Sequence, residues 1–298
     1  VTGLPFIDAH VHLWDLSRLR YAWLTPPFGD GGPNGNVSRI ASDYLLDDYR
    51  REAAKWNVVG MVHVDAGAAA DQALDETDWL QDIADAEGMP NGIVAYVPLD
   101  SANAETLLAD QARRRNVRGI RQIVNWHAAP NRTYTDRDLT LDPEWQAGFA
   151  LLKKFDLSFD LQAYPPQFAN LAKLIARHPE TPVILNHAGM GVDGDREWRA
   201  GMKALAALPN VFVKISGLGF VWRDLVREGV RRRVLATIDL FGADRCMFAS
   251  DFPTDRLFGG FDETLGNYAE AVSGFTEDER RDLWARNANR IYRLNLDV

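Results

Sequence analysis

The chain has 298 residues, 33 Lys and Arg against 42 Asp and Glu for a formal charge of −9, 46% hydrophobic residues and one cysteine. That apolar share excludes a mostly disordered chain, the lone Cys246 excludes an internal disulfide scaffold, and no apolar run reaches the ~18 residues of a membrane helix. The acidic balance disfavours nucleic acid, whose phosphates need a basic face, and Val1–Phe6 lacks the basic start and apolar core of a signal peptide, so a cytoplasmic protein with no nucleic-acid or membrane partner is expected.

In chain order, the first apolar run is Phe6–His12. An irregular segment follows, Leu13–Ser42, Gly/Pro-rich over Pro26–Asn36. A loop of that length inside a compact fold is usually functional, a lid for instance, and Trp14, Tyr21, Trp23 and Phe28 give it something to bury. Seven further strand-like runs come next: Val58–Asp65, Gly92–Val97, Val117–Val124, Leu157–Ala163, Pro182–His187, Val211–Ser216 and Arg245–Asp251. Their near-continuous apolar character suits parallel strands covered on both faces. Amphipathic stretches alternate with them: Asp47–Trp56, Asp71–Glu87, Ala104–Arg115, Pro143–Phe155, Gln167–His178, Trp198–Leu208 and Val226–Phe241. A last helix pair is expected after strand eight, with Thr276–Glu279 as a capping box and Glu277–Arg293 helical. The predicted fold is α/β, a (β/α)8 TIM barrel with C-terminal helices, one domain over residues 1–298 with a long β1–α1 loop at about 13–46. No Gly-rich dinucleotide turn follows strand one, which disfavours an open doubly wound sheet.

The sharpest chemical signal is Asp8-Ala9-His10-Val11-His12. Histidines at i and i+2 on a strand share a face, and at the C-terminal end of a barrel strand that face is the mouth. Strand six ends in Asn186-His187-Ala188-Gly189 and strand eight in Ala249-Ser250-Asp251-Phe252-Pro253. Catalytic residues of barrels come from several strand ends, so His10, His12, His187 and Asp251 form a constellation. Asp251 has the chemistry of a metal ligand, a general base for water, or both.

His10-x-His12 on strand one, His187 on strand six and Ser250-Asp251-x-Pro253 on strand eight resemble the amidohydrolase superfamily, over nearly the whole chain. Val117–Arg121, Phe159–Gln162, Asn186–Gly189 and Val213–Leu218 narrow the resemblance to the branch of 2-pyrone-4,6-dicarboxylate lactonase and the sugar lactonases. The binuclear members bridge two metals with a strand-four lysine and add a strand-five histidine. Here strand four offers Arg121 and Gln122, and strand five Asp160 and Gln162. The resemblance therefore implies one divalent metal ion at most, held by His10, His12 and Asp251, with zinc the natural choice for three protein ligands and an open position. Some members of the branch work without metal.

Further candidates surround this set. Arg121 ends strand four and has the fork to meet a carboxylate or hydroxyls. Lys214 and Ser216 share a face of strand seven, Gln162 and Tyr164 a face at the end of strand five, and His63 and Asp65 a face of strand two, with Asp65 nearer the mouth. Trp14 and Trp23 follow strand one, Trp126 and His127 strand four, and Trp222 strand seven, placing aromatic faces where a sugar-like ring would need walls. Arg121, Lys214, Gln162, Asp65, Trp23, Trp126, His127, Tyr164 and Trp222 are the expected substrate-binding residues. Trp56, Trp79, Trp145, Trp198 and Trp284 lie on helical stretches and read as core.

The expected function is hydrolysis of a small-molecule lactone, sugar-acid or dicarboxylic, with water activated by Asp251 and the carbonyl polarised by His10, His12 and His187 or by a bound metal. A non-oxidative decarboxylase of an aromatic or muconate-type acid is the rival; that branch has a glutamate soon after the strand-six histidine, where this chain has Met190, Gly191 and Val192. A lactone isomerase uses the same polarised carbonyl. A ligand-binding protein on a decayed barrel would explain the missing strand-four and strand-five ligands but not the intact histidines. Barrels commonly form a homodimer; no interface is legible here.

Overall fold

A computed structural model describes residues 3–223 and 225–298, so Val1 and Thr2 of the amino-terminal segment lie outside it. Eight parallel strands form one sheet in sequential order: β1 (Phe6–Val11), β2 (Val58–Val64), β3 (Gly92–Tyr96), β4 (Val117–Arg121), β5 (Ser158–Leu161), β6 (Val183–Leu185), β7 (Val211–Ile215) and β8 (Cys246–Phe248). Helices α1 (Leu46–Glu52), α2 (Ala73–Glu87), α3 (Ala104–Ala112), α4 (Pro143–Leu151), α5 (Phe168–Ile175) and α6 (Asp195–Ala206) alternate with the strands. A one-turn helix α7 (Gly219–Trp222) precedes α8 (Arg227–Phe241) after β7. After β8 come α9 (Phe261–Ala271), α10 (Glu277–Arg281) and α11 (Asn287–Ile291). This is the (β/α)8 barrel. Among the described residues no helix is long and apolar enough to cross a membrane.

The barrel closes past the end of β8. The Asp251 amide donates to the His10 carbonyl at 2.9 Å and the His12 amide to the Phe252 carbonyl at 2.8 Å, and Val11 bridges Phe252 in parallel. Closure thus happens at the level of the candidate site. β1 also slips register against β2: Asp8 faces Met61, while Val11 faces His63, three steps against two. Such a bulge re-aims the side chains beyond it. Ile7 and Ala9 belong to the inner apolar cluster; His10 lies within the irregularity and His12 beyond it.

Apolar strand residues alternate between two cores. The inner one joins Ile7, Val62, Val94, Ile184 and Met247 to Ile291, Tyr292 and Leu294. The C-terminal segment therefore plugs the end of the barrel where the strands begin: a Cβ on Gly60 would lie 2.5 Å from Leu296, and one on Gly92 2.9 Å from Leu294. The outer core packs strands on helices, with Trp284 against Phe6, Trp56 and Phe248 at ring separations of 5.1, 5.4 and 4.8 Å. The five helical tryptophans are all buried, as expected. The capping box forms: Glu279 N–H donates to Thr276 Oγ1 at 3.3 Å and Thr276 N–H to Glu279 Oε2 at 2.9 Å. The long loop is ordered by its aromatics; Trp14 and Tyr44 pair as an antiparallel bridge, and Trp14 Nε1 donates to the Ser42 carbonyl at 2.7 Å.

Candidate active site

At the open end, His10 Nε2 lies 3.2 Å from His12 Nε2, and each stands 3.4 Å from Asp251 Oδ1. All three side chains are buried. His12 Nδ1 donates to the Val64 carbonyl at 2.8 Å, which leaves the lone pair on Nε2. Among the described residues Asp251 Oδ2 has no hydrogen-bond partner; it lies 3.8 Å from His187 Nδ1. His187 Nδ1 is 3.1 Å from Ser216 Oγ.

Burial is what sets the protonation here. It holds His10 far below the usual imidazole range, helped by the Lys214 charge. His12 is pushed down to about 3 by burial and then by Arg121. His187 falls to about 4 by burial, against the pull of the Asp251 carboxylate. Burial raises Asp251, with His187 opposing. Neutral imidazoles are the form that ligates metal.

The strand ends carry strain. His187, Ala188, Met190 and Asp251 adopt φ of 54°, 46°, 40° and 58°, a region few non-glycine residues enter. Such outliers concentrate at functional sites. The strand-six turn is pinned from α6, where Trp198 Nε1 donates to the Ala188 carbonyl at 2.7 Å. Gly217, at φ +57°, lets β7 pass close by: a Cβ there would meet His187 Nδ1 at 2.4 Å and Asp251 Oδ2 at 3.1 Å.

Three donors at these spacings fit a tetrahedral ion. Zinc bonds of about 2.0–2.1 Å give ligand–ligand edges of about 3.3–3.4 Å, against the observed 3.2 and 3.4 Å. No other group of His, Cys, Asp or Glu among the described residues meets the same test.

A cavity of about 220 Å³ opens beside this triad, walled by His12, Arg121, Gln162, His187 and Asp251 on the polar side. Trp23, Ile123, Met190 and Phe220 form the apolar side, with Asn34, Tyr134 and Thr254 completing the polar rim.

The amidohydrolase family profile matches residues 7–294. The chain belongs to the amidohydrolase family. This amidohydrolase is 38% identical to protein y4mH of Sinorhizobium fredii, which is uncharacterized, over 99% of this chain and 100% of that one. It is 29% identical to L-fucono-1,5-lactonase of Burkholderia multivorans over 98% and 97% of the two chains. It superposes on the crystal structure of a zinc-bound amidohydrolase from B. multivorans with a TM-score of 0.80, at 28% identity, covering 97% of this chain and 99% of the other.

Several expected substrate contacts of the amidohydrolase lie elsewhere. Asp65 stands behind Arg121 rather than at the cavity wall: Arg121 Nε donates to Asp65 Oδ2 at 2.7 Å and a terminal nitrogen to the Asp65 carbonyl. Arg121 Nη1 also holds Gln162 Oε1 at 3.1 Å. Lys214 is wholly buried and paired to Asp160 Oδ1 at 2.5 Å. Asp160 also accepts from Tyr292 Oη at 2.9 Å and Asn186 Nδ2 at 3.0 Å. This network ties the barrel plug to β5–β7 and does not line the cavity.

Trp126 lies beyond the end of β4 and is partly exposed. The His127 ring is spent on loop contacts, accepting from Ala129 N–H at 2.8 Å and facing Asp193 of the loop after β6 at 3.3 Å. Tyr164 Oη donates to the Arg132 carbonyl at 2.7 Å and borders an adjoining cavity. Trp222 stacks near the Arg233 guanidinium at 5.3 Å, in a separate groove. His63 Nε2 bonds the Leu13 carbonyl at 3.2 Å under the long loop. Trp23 is where it was expected, on the cavity wall, with Nε1 donating to the Ala66 carbonyl at 2.8 Å.

Asn34, Tyr134, Met190, Phe220 and Thr254 were not singled out from sequence as cavity residues. Asp8 opens the His10-x-His12 motif and has a bracing role of its own. Its Oδ1 accepts from Ser250 N–H at 2.8 Å and its Oδ2 from Tyr49 Oη at 3.1 Å, which braces the end of β1 against the end of β8. Its position two before a His-x-His pair was the available signal.

Proposed function

We propose that this amidohydrolase is a lactonase that opens the ester ring of a sugar-acid or dicarboxylic-acid lactone. The observation that carries the reading is the convergence of His10, His12 and Asp251, with His12 and Asp251 on the cavity wall and Asp251 Oδ2 unpartnered among the described residues. The 29% identical L-fucono-1,5-lactonase supports the lactone class, and the zinc in the similar B. multivorans structure supports the metal.

His10 Nε2, His12 Nε2 and Asp251 Oδ1 would hold the ion, which supplies Lewis-acid polarisation of the carbonyl and a lowered pKa for water. The rest belongs to the side chains. Asp251 Oδ2 takes the proton from the attacking water. The water oxygen bonds the lactone carbonyl carbon, and the ring C–O bond then breaks. Asp251 returns the proton to the departing alkoxide, giving the open hydroxy acid. With Ser216 Oγ as the donor to its Nδ1, 3.1 Å away, His187 would carry its proton on Nε2, the tautomer that donates to the carbonyl oxygen as charge develops there. The Arg121 cation lowers the energy of that charge, while Asp65 and Gln162 fix its orientation.

A pH-indicator screen tests the reading. It covers sugar-acid γ- and δ-lactones, pyrone dicarboxylate and muconolactones, with and without chelator, beside elemental analysis. Ring opening that the chelator suppresses is the expected result. Release of CO2 from an aromatic acid with no lactone opened would replace this reading with the decarboxylase.

A further inference from the structure

We propose that Asn34, carried on the long β1–α1 loop, reads a hydroxyl group of the substrate, and that Arg223 is the residue that positions it. The proposal rests on the lactonase reading and names what distinguishes one lactone from another. Asn34 lies far along the sequence from the other polar cavity residues, yet it shares the cavity with His187, Arg121 and Asp251. The same cavity has an apolar and aromatic side formed by Trp23, Ile123, Met190 and Phe220. Of the two side-chain amides on this cavity, Gln162 is engaged by Arg121 at 3.1 Å, and a free amide facing an otherwise apolar side is an arrangement that orients a ring by a polar contact.

The amide is aimed. Tyr134 Oη donates to Asn34 Oδ1 at 2.5 Å. With its oxygen engaged, the side chain offers its two Nδ2 protons, and among the described residues no acceptor takes them. A substrate hydroxyl or ring oxygen is the matching partner.

The backbone under the amide is clamped as well. Arg223 Nη2 donates to the Pro33 carbonyl at 2.6 Å and Nη1 to the Asn34 carbonyl at 3.1 Å. Two parallel bonds from one rigid guanidinium to consecutive carbonyls fix both the position and the tilt of the loop. Gly35 turns at φ +69°, where a Cβ would come within 3.5 Å of Arg223 Nη1, and its amide closes a turn on the Gly32 carbonyl at 3.0 Å. Among the described residues Arg223 makes no hydrogen bond or ion pair with His10, His12, His187 or Asp251; its bonds go to the Pro33 and Asn34 carbonyls, so its influence runs through Asn34.

The test compares kcat and KM for the wild type, Asn34→Ala, Asn34→Asp, Arg223→Met and the Asn34→Ala/Arg223→Met double variant. The probes are the most rapidly opened member of an aldono-1,5-lactone panel and unsubstituted δ-valerolactone. The expected result is a fall of about tenfold in the kcat/KM preference for the aldonolactone in both Asn34 variants, through KM, as losing one hydrogen bond implies. Asn34→Asp keeps the acceptor for Tyr134 while it exchanges the two donors for a carboxylate charge, and Asn34→Ala removes the amide without adding charge, so a loss common to both reports the missing donors. Arg223→Met should lose the same preference, and the double variant no more than Asn34→Ala alone. An unchanged preference in Asn34→Asp overturns the role of Asn34. Additive losses in the double variant overturn the role of Arg223. A wild type that opens no lactone overturns the lactonase reading and this inference together, whereas wild-type activity with unmoved preferences overturns this inference alone.

Discussion

The Asp251 amide donates to the His10 carbonyl at 2.9 Å, and the same two residues face each other through Oδ1 and Nε2 at 3.4 Å. One backbone bond closes the barrel and sets the distance between two candidate ligands. The site is therefore as rigid as the sheet that carries it, which is the support a catalytic group needs from its scaffold.

Asp251→Asn removes the proton acceptor while keeping the shape. Lactone hydrolysis should fall by about 10²–10⁴-fold in kcat, the usual worth of a general base. Unchanged turnover on the best lactone would remove Asp251 from the proton-transfer step.

His12→Ala takes away one of the three convergent donors. Bound metal, measured by elemental analysis of the purified protein, should drop well below that of the wild type, and added chelator should then have little left to inhibit. Equal metal content in the variant would place the ion elsewhere.

Gly217→Ala puts a methyl group 2.4 Å from His187 Nδ1 and 3.1 Å from Asp251 Oδ2. It also imposes a side chain at φ +57°, at a cost of about 1–2 kcal/mol. Activity should collapse while the protein stays folded, read by circular dichroism beside a lactone assay. Full activity would mean that the strand-six and strand-eight ends can move apart freely.

The barrel was legible because its strands are continuous apolar runs, and the eight runs map onto the eight strands. The strand ends were not. Pro182–His187 was expected as strand, but only Val183–Leu185 pairs as one, because His187 and Ala188 turn into the left-handed region. Arg245–Asp251 shortens to Cys246–Phe248 for the same reason at Asp251. Residues suited to a strand are used there to build the site. His10, His12, His187 and Asp251 were legible because each sits at or just past a strand end. Lys214 misled because a lysine on a strand facing inward reads as a ligand contact, and nothing in the sequence shows that Asp160 and Tyr292 meet it. Asn34 and Tyr134 reach the cavity from loops, where no periodicity points to a direction.

Lys214→Met should report on stability rather than specificity. It leaves Asp160 buried without its cation, a loss of about 3–5 kcal/mol for a pair broken on one side. Urea unfolding would measure it, and Lys214→Met/Asp160→Asn should recover part of the loss. A variant of wild-type stability with a raised KM would return Lys214 to the substrate.

Glu76 gives the pH dependence. Burial pushes its carboxyl up to about 8 from an ordinary 4.5, with the Asp65 charge adding and the bonds from Tyr21 Oη and Ala66 N–H opposing; Arg121 also faces it and opposes. The folded state therefore binds this proton more tightly than the unfolded chain does. The stability that this provides is fully present below about 4.5 and is lost as pH rises through about 8. Glu76→Gln keeps an acceptor for Tyr21 and has no proton to lose. Its Tm should hold between pH 5 and 8 more nearly than the wild type's over the same ~3 pH units, so that the variant is the more stable of the two at pH 8. Parallel Tm profiles for the two proteins would show that Glu76 ionises in the folded state at its ordinary pKa.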